Sequence, residues 1–209
     1  MKPQHFVGLD IGTAGVRCVV GMLDASNGNK PSIIGHGSSV NLGMRKGVVV
    51  HVDDVAEAIV QAITEAERIS GHHINRATVN VNGSHVTGMN SKGVIAISTA
   101  NRQISQDDRF RVEEAATVVQ LPPNREIIQF FAKNYSVDGQ QNIKDPVGMQ
   151  GVRLEVDAHI VTASTPNLRN LEAALVKAET HATHHTVSSL AATEAVMTRQ
   201  QKEAGTVLL

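Results

Sequence analysis

The sequence predicts an α/β protein in two parts, a mixed sheet with flanking helices and an α+β region inserted into it. Three observations carry this. The opening third reads β-β-β-α-β, the middle breaks that rhythm with strands around a single helix, and the α/β rhythm resumes at Thr165-Pro166. No internal repeat or low-complexity linker separates the parts, so the middle reads as an insertion and not as a tethered module.

Residues His5 to Leu9 form a short apolar strand, Asp10-Ile11-Gly12-Thr13 punctuates it, and Val16 to Leu23 resumes a β-rich run. Asn27-Gly28 signals a second turn, after which Ser32 to Val40 reads as a third strand. From Val55 the period becomes helical, with Val55, Ile59, Ala62, Ile63, Ala66 and Ile69 on one face. Asp54 and Glu57 have the spacing of a capping box at the start of this helix, and Gly71 supplies a left-handed stop. Ala77 to Val81 returns to strand.

In the middle region, His85 to Met89 and Gly93 to Ile97 read as two short strands. Ser105 with Asp108 caps a helix running to about Val119, with Pro122-Pro123 as its stop. Glu126 to Val137 is extended, and a polar loop from Asp138 to Gly151 leads to an alternating strand. There Val152, Leu154, Val156, Ala158 and Ile160 face one way, and Arg153, Glu155, Asp157 and His159 the other. Thr165-Pro166 then starts a helix with Leu168, Leu171, Leu175 and Ala178 as its stripe. A strand near Thr183 to Val187 and a helix from about Leu190 to Lys202 follow.

At 209 residues with 41% hydrophobic residues, the chain can bury a real core. Lys and Arg (19) balance Asp and Glu (20), and only 2% of residues are aromatic, which disfavours nucleic acid as a partner. The single cysteine, Cys18, excludes an internal disulfide and sits in an apolar strand as a structural thiol. No apolar run has the length of a membrane span or the pattern of a signal peptide, so the expected location is cytoplasmic.

The informative motif is Asp10-Ile11-Gly12-Thr13-Ala14-Gly15, set between two strands. Such a hairpin brings backbone N–H groups and a Thr hydroxyl to phosphate oxygens, and a nearby Asp can bind a hydrated divalent cation. No Gly-Lys-Ser/Thr follows, as a Walker loop requires, and the turn leads to a strand where a dinucleotide fingerprint leads to a helix. On its own the motif is weak and reads first as an ordinary hairpin with Asp and Gly in turn positions.

Phe6-Val7-Gly8-Leu9-Asp10-Ile11-Gly12-Thr13 resembles the first phosphate loop of the superfamily of actin, heat-shock chaperones and sugar kinases. The rest of the chain resembles one branch of it, the FtsA cell-division family. The likeness is carried by Ile33-Ile34-Gly35-His36-Gly37, by Gly43-Met44-Arg45-Lys46-Gly47-Val48-Val49, and by the long string from Asn142 through Asp145-Pro146-Val147-Gly148 to Glu155. Ser189 to Val196 is similar to the segment ahead of the family's second phosphate loop.

The resemblance implies an actin-like (RNase H-like) subdomain 1A at residues 1–83 and 164–209, and an inserted SHS2-type subdomain 1C at residues 84–163. It implies ATP and Mg2+ between two halves of a full-length molecule, with Gly12, Thr13 and Ala14 facing the phosphates and Asp10 facing the metal through water. Protofilament contacts through 1A and 1C, division-protein partners at 1C, FtsZ, and membrane attachment through a C-terminal amphipathic helix are implied for the full-length family. A second phosphate loop of Asp-Ile-Gly-Gly-Gly-Thr type is expected to follow Leu208-Leu209, as are the adenosine-holding domain, the FtsZ-binding region and the membrane helix. The 209 residues alone are therefore expected to bind ATP weakly or not at all, with no catalytic residue assigned and at most weak ATPase activity in a full-length protein. The connection Glu179 to His185 departs from the family in lacking its usual glycine.

Other clusters point to ordinary roles. His181, His184 and His185, like His72 and His73, are read as solvated imidazoles in polar connections, without a cysteine or carboxylate at zinc-ligand spacing. Ser84 and His85, read as strand neighbours, would point to opposite faces, and Asp107-Asp108 complements a helix dipole. Two alternatives stand beside the division protein: an actin-like scaffold of pilus assembly, and a fragment of a sugar-kinase-type phosphotransferase.

Overall fold

A computed structural model describes residues 4–23, 31–98 and 101–208; the Asn27-Gly28 turn and Leu209 lie outside the described residues. In chain order the elements are β1 (Gln4–Ile11), β2 (Gly15–Leu23), β3 (Pro31–Val40), β4 (Met44–Arg45), β5 (Val48–Val49), α1 (Val52–Ser70) and β6 (Arg76–Val81). Then come β7 (Thr87–Ala96), α2 (Gln106–Thr117), β8 (Arg125–Val137), β9 (Gln140–Ile143) and β10 (Arg153–Ser164). The last are α3 (Thr165–Lys177), β11 (His181–Val187), α4 (Ser188–Val196) and α5 (Arg199–Ala204). Contacts divide the chain into two compact units, Met1–His85 with Pro166–Leu209, and Val86–Thr165.

The first unit holds a five-stranded mixed sheet in the order β11-β6-β1-β2-β3. β1, β2 and β3 form an antiparallel meander, while β6 runs parallel to both β1 and β11. Alternation sends Leu9, Ile11, Val16, Cys18, Val20, Ala77 and Val79 to one face, where they are almost fully buried. Against that face α1 lays Val55, Ile59, Ala62, Ile63 and Ala66, the Val and Ile side chains each contributing about 1.5–3 kcal/mol on full burial. Lys177 at the end of α3 forms an ion pair with Asp53 at the start of α1. The opposite face leaves Phe6, Val19 and Ile33 exposed.

Close approach of α1 to β3 depends on Gly37, because a Cβ there would stand 2.0 Å from the Ala62 carbonyl oxygen. The Gly35-His36-Gly37 string is thus a helix-packing surface. Gly71 ends α1 in the left-handed region (φ 70), as the sequence predicts. The start differs. Its N-cap is His51, without a side-chain cap bond, so Asp54 and Glu57 lie inside the helix and form no capping box. The helix gains its first turn from Val52 and Asp53, and Asp53 and Asp54 complement the dipole there.

The second unit is a four-stranded sheet, β7-β10-β8-β9, with α2 packed on one face. Its core joins Val112 and Ala116 of α2 to Tyr135, Val137, Leu154, Val156 and Ala158. The capping box at Ser105 forms as expected: Ser105 Oγ accepts from the Asp108 N–H at 3.2 Å, and Asp108 Oδ2 accepts from the Ser105 N–H at 3.0 Å. α2 stops at Thr117, short of Pro122-Pro123. β7 is one ten-residue strand where two short ones were expected, because Asn90, Ser91 and Lys92 pair with β10 without a break. Inside the Asp138–Gly151 loop lies the short strand β9, and Val152 is exposed instead of joining the inward set.

The distinctive string from Asn142 to Glu155 serves to anchor that loop. Ile104 N–H donates to Met149 O and Gly148 N–H to Ile104 O, both at 2.9 Å, and the Asp138 carboxylate accepts from the Val152 and Arg153 N–H groups. Arg109 binds Glu113 at 3.0 Å and Tyr135 Oη at 3.1 Å, while Tyr135 Oη donates to Glu113. Burial, then the Glu113 carboxylate, pushes the Tyr135 phenol up to about 12.

Near the C-terminus the single helix expected from Leu190 to Lys202 is two. Thr198 breaks it by forming a new capping box with Gln201, which starts α5. His181, His184 and His185 stand in strand β11 and not in a connection. His184 is exposed, whereas the His185 Nε2 is buried without a hydrogen-bond partner among the described residues. Ser84 and His85 occupy a turn, not a strand.

Candidate functional site

β1 and β2 pair up to Ile11 and Val16, so Gly12-Thr13-Ala14-Gly15 is the connecting hairpin. The Gly12 N–H donates to Gly15 O at 3.0 Å and closes the turn. Thr13 and Ala14 form its exposed tip, and their N–H groups donate no hydrogen bond among the described residues. Two adjacent free donors on an exposed turn can take an anionic oxygen.

A second segment braces the hairpin from the side. Asn41, 3% exposed, donates to Gly12 O at 2.9 Å and accepts from the Gly43 N–H at 3.0 Å. Beyond it the β4–β5 turn brings the Gly47 N–H to Thr13 Oγ1 at 3.0 Å, leaving the Thr13 hydroxyl proton to donate elsewhere. Gly47 has φ 77, and a Cβ on it would lie 2.5 Å from Asn82 Oδ1 and 2.7 Å from Gly83 Cα. The Gly43–Val49 string therefore belongs to the same site as the Asp10–Gly15 string, a relation that sequence spacing does not reveal.

Asp10, at the end of β1, points to the sheet face opposite α1. Its side chain is about half exposed (51%), and Arg17, its cross-strand neighbour, places Nη1 3.4 Å from Oδ2. Asn80 of β6 donates to Oδ1 at 2.6 Å. The same Asn80, 6% exposed, accepts the Ile11 N–H at 2.6 Å and donates to Ser188 Oγ at 2.9 Å. Each Asp10 oxygen keeps a lone pair for a water in the shell of a cation. Beside Asp10 a groove opens along the exposed face, lined by Gly8, Val19, Thr78 and Thr186 and by Ala191 and Ala195 of α4.

Of the residues named from the sequence, Asp10, Gly12, Thr13 and Ala14 come together in this one hairpin. Asn41, Gly47, Asn80 and Arg17 were missed. Only Gly47 lay within a quoted motif, and the side-chain partners of Asn80 lie 70 and 108 residues away in the chain. Among the described residues no group of three or more His, Cys, Asp or Glu side chains could hold a metal.

The sheet order and the insertion after β6 define the class: an actin-like fold carrying an inserted SHS2 domain. The family described as the SHS2 domain inserted in FtsA matches residues 83–162. Over 209 residues, all of this chain and 50% of the other, it is 36% identical to the cell division protein FtsA of Borreliella burgdorferi. Over 206 residues, 99% of this chain and 46% of the other, it is 36% identical to that of Bacillus subtilis. Along its whole length the chain is similar to FtsA proteins, and it spans about half the length of the curated relatives it matches. Among solved structures, the PilM-PilN type IV pilus biogenesis complex superposes on 95% of this chain and 52% of that one with a TM-score of 0.61. At 16% identity that likeness concerns the fold alone.

Proposed function

We propose that this chain is the nucleotide-facing and partner-binding portion of a cell-division protein of FtsA type. The observation that carries the reading is similarity to FtsA proteins along the whole chain, including the SHS2 insertion. The hairpin geometry is compatible with it. The exposed N–H groups of Thr13 and Ala14 would meet phosphate oxygens, and Asp10 would receive a hydrated Mg2+. ATP with Mg2+ is the proposed ligand. It would supply the charge that these donors and this carboxylate are placed to meet, and the residues fit one wall of such a site.

With one hairpin proposed to face phosphate among the described residues, the 209-residue chain is expected to hold ATP weakly. The 1A and 1C subdomains, residues 1–83 with 164–209 and residues 84–163, are proposed to carry self-association and contacts with other division proteins. Engagement of FtsZ, and residence at the cytoplasmic membrane face of the division site, are proposed for a protein of the relatives' full length.

Depletion of the gene product in its own cells tests the reading. Elongated, undivided cells are expected. Normal division with loss of pili would transfer the chain to the pilus scaffolds. Normal division with intact pili and loss of a sugar-phosphorylating activity would make it a phosphotransferase.

A further inference from the structure

We infer that Asn80 is a positioning residue for the Asp10 carboxylate and ties it to the start of α4; this rests on the reading of Asp10 as the cation-facing group. The orientation of the Asn80 amide is forced. The Ile11 N–H is an obligatory donor 2.6 Å away, so the amide oxygen must face it and the NH2 group must face the other way. The two N–H bonds then go to Asp10 Oδ1 at 2.6 Å and Ser188 Oγ at 2.9 Å. The amide oxygen and both N–H groups are all used, on β1 and α4, by a side chain 6% exposed. A buried amide so engaged has one rotamer open to it, and it passes that constraint to its partners.

The consequence for Asp10 is directional. Its carboxylate sits half in solvent beside Arg17, a long exposed side chain that restrains it little. Asn80 supplies the rigid contact, fixing Oδ1 and leaving the remaining lone pairs open to water. Residues that orient a ligand without touching the metal set affinity through such bonds. Asn82 adds a second, longer bond to Ser188 Oγ at 3.3 Å, so the first residue of α4 is held from β6 and the segment after it. A movement of the Asp10 carboxylate would therefore be felt at Ser188.

Manganese alone is the probe, standing in for magnesium and broadening nearby amide resonances of the 15N-labelled 209-residue chain. The wild type is expected to lose signal first at Asp10 to Ala14, with a smaller effect at Ser188 and Ser189, and Asp10→Asn to abolish both. Asn80→Ala is expected to need roughly tenfold more Mn2+ for equal broadening, and Ser188→Ala about twofold to threefold more. Thermal midpoints are measured beside them, since a merely structural role would lower the midpoint and leave the Mn2+ titration unmoved.

If Asp10→Asn abolishes the effect while Asn80→Ala and Ser188→Ala both titrate as wild type, this inference falls and the cation-facing reading of Asp10 stands. If the wild type shows no broadening at the hairpin, or Asp10→Asn leaves it intact, that reading falls and this inference with it. Should Asn80→Ala fail to fold, Ser188→Ala decides alone: a displaced titration upholds the inference, and an unchanged one overturns it.

Discussion

The Ala62 carbonyl oxygen of α1 lies 2.0 Å from the point where a Cβ on Gly37 of β3 would stand. The second unit repeats the relation, with the Val112 carbonyl of α2 2.1 Å from a Cβ on Gly93 of β7. In each unit a helix rests on its sheet through a glycine.

Gly37→Ala is accordingly expected to destabilise the first unit by about 1–3 kcal/mol, the cost of forcing backbone apart in a packed interface. Urea unfolding followed by circular dichroism measures it. A loss under about 0.5 kcal/mol, the range of ordinary surface substitutions, would show that α1 does not sit as closely as described.

The reciprocal bonds of Ser105 and Asp108 make a local prediction for the second unit. Ser105→Ala is expected to cost about 1 kcal/mol. Hydrogen bonds from Ser105, and then the Arg111 charge, hold the Asp108 carboxyl below its ordinary 3.8. A depressed carboxylate contributes stability above its unfolded value and loses it as pH falls through the folded one. Acid below about 3.8 should therefore weaken the wild type more than Asp108→Asn, as acid titrations of both report.

Cys18 is fully buried, and burial, helped by the Glu67 charge, pushes its thiol from 9.0 up to about 11. A thiol raised on folding binds its proton more tightly in the native state. Its contribution is whole below 9 and declines as pH rises toward 11. Native chain is expected to react with a thiol reagent at pH 8 orders of magnitude more slowly than urea-unfolded chain. Equal rates would place Cys18 at the surface.

Thr13 anchors the hairpin to the β4–β5 turn through the Gly47 N–H. Thr13→Val removes that acceptor at an exposed position, so a loss of only about 0.5–1.5 kcal/mol is expected. Amide exchange at Gly47 should quicken markedly while β1 and β2 keep their protection. Unchanged exchange at Gly47 would dissociate the two strings.

Local rules read most of the fold. Alternation found β10, helical period found α1, and the Ser105–Asp108 spacing found the α2 cap. They failed where neighbours outweigh propensity. β7 stays whole through Asn90-Ser91-Lys92 because β10 pairs with every residue. β9, Gln140–Ile143, is too polar and short to announce itself. The site divides the same way. Asp10 to Ala14 are contiguous and visible, whereas Asn41 and Asn80 act across 29 and 69 residues of chain, which no local pattern encodes.

Titration of the 209-residue chain with ATP and Mg2+, followed by amide chemical shifts, tests the central claim most directly. The account predicts shifts at Asp10 through Gly15 and their braces at Asn41 and Gly47, with smaller ones at Asn80 and Ser188, and half-saturation no tighter than roughly 1 mM. Low-micromolar affinity, or shifts that avoid the hairpin, would contradict it.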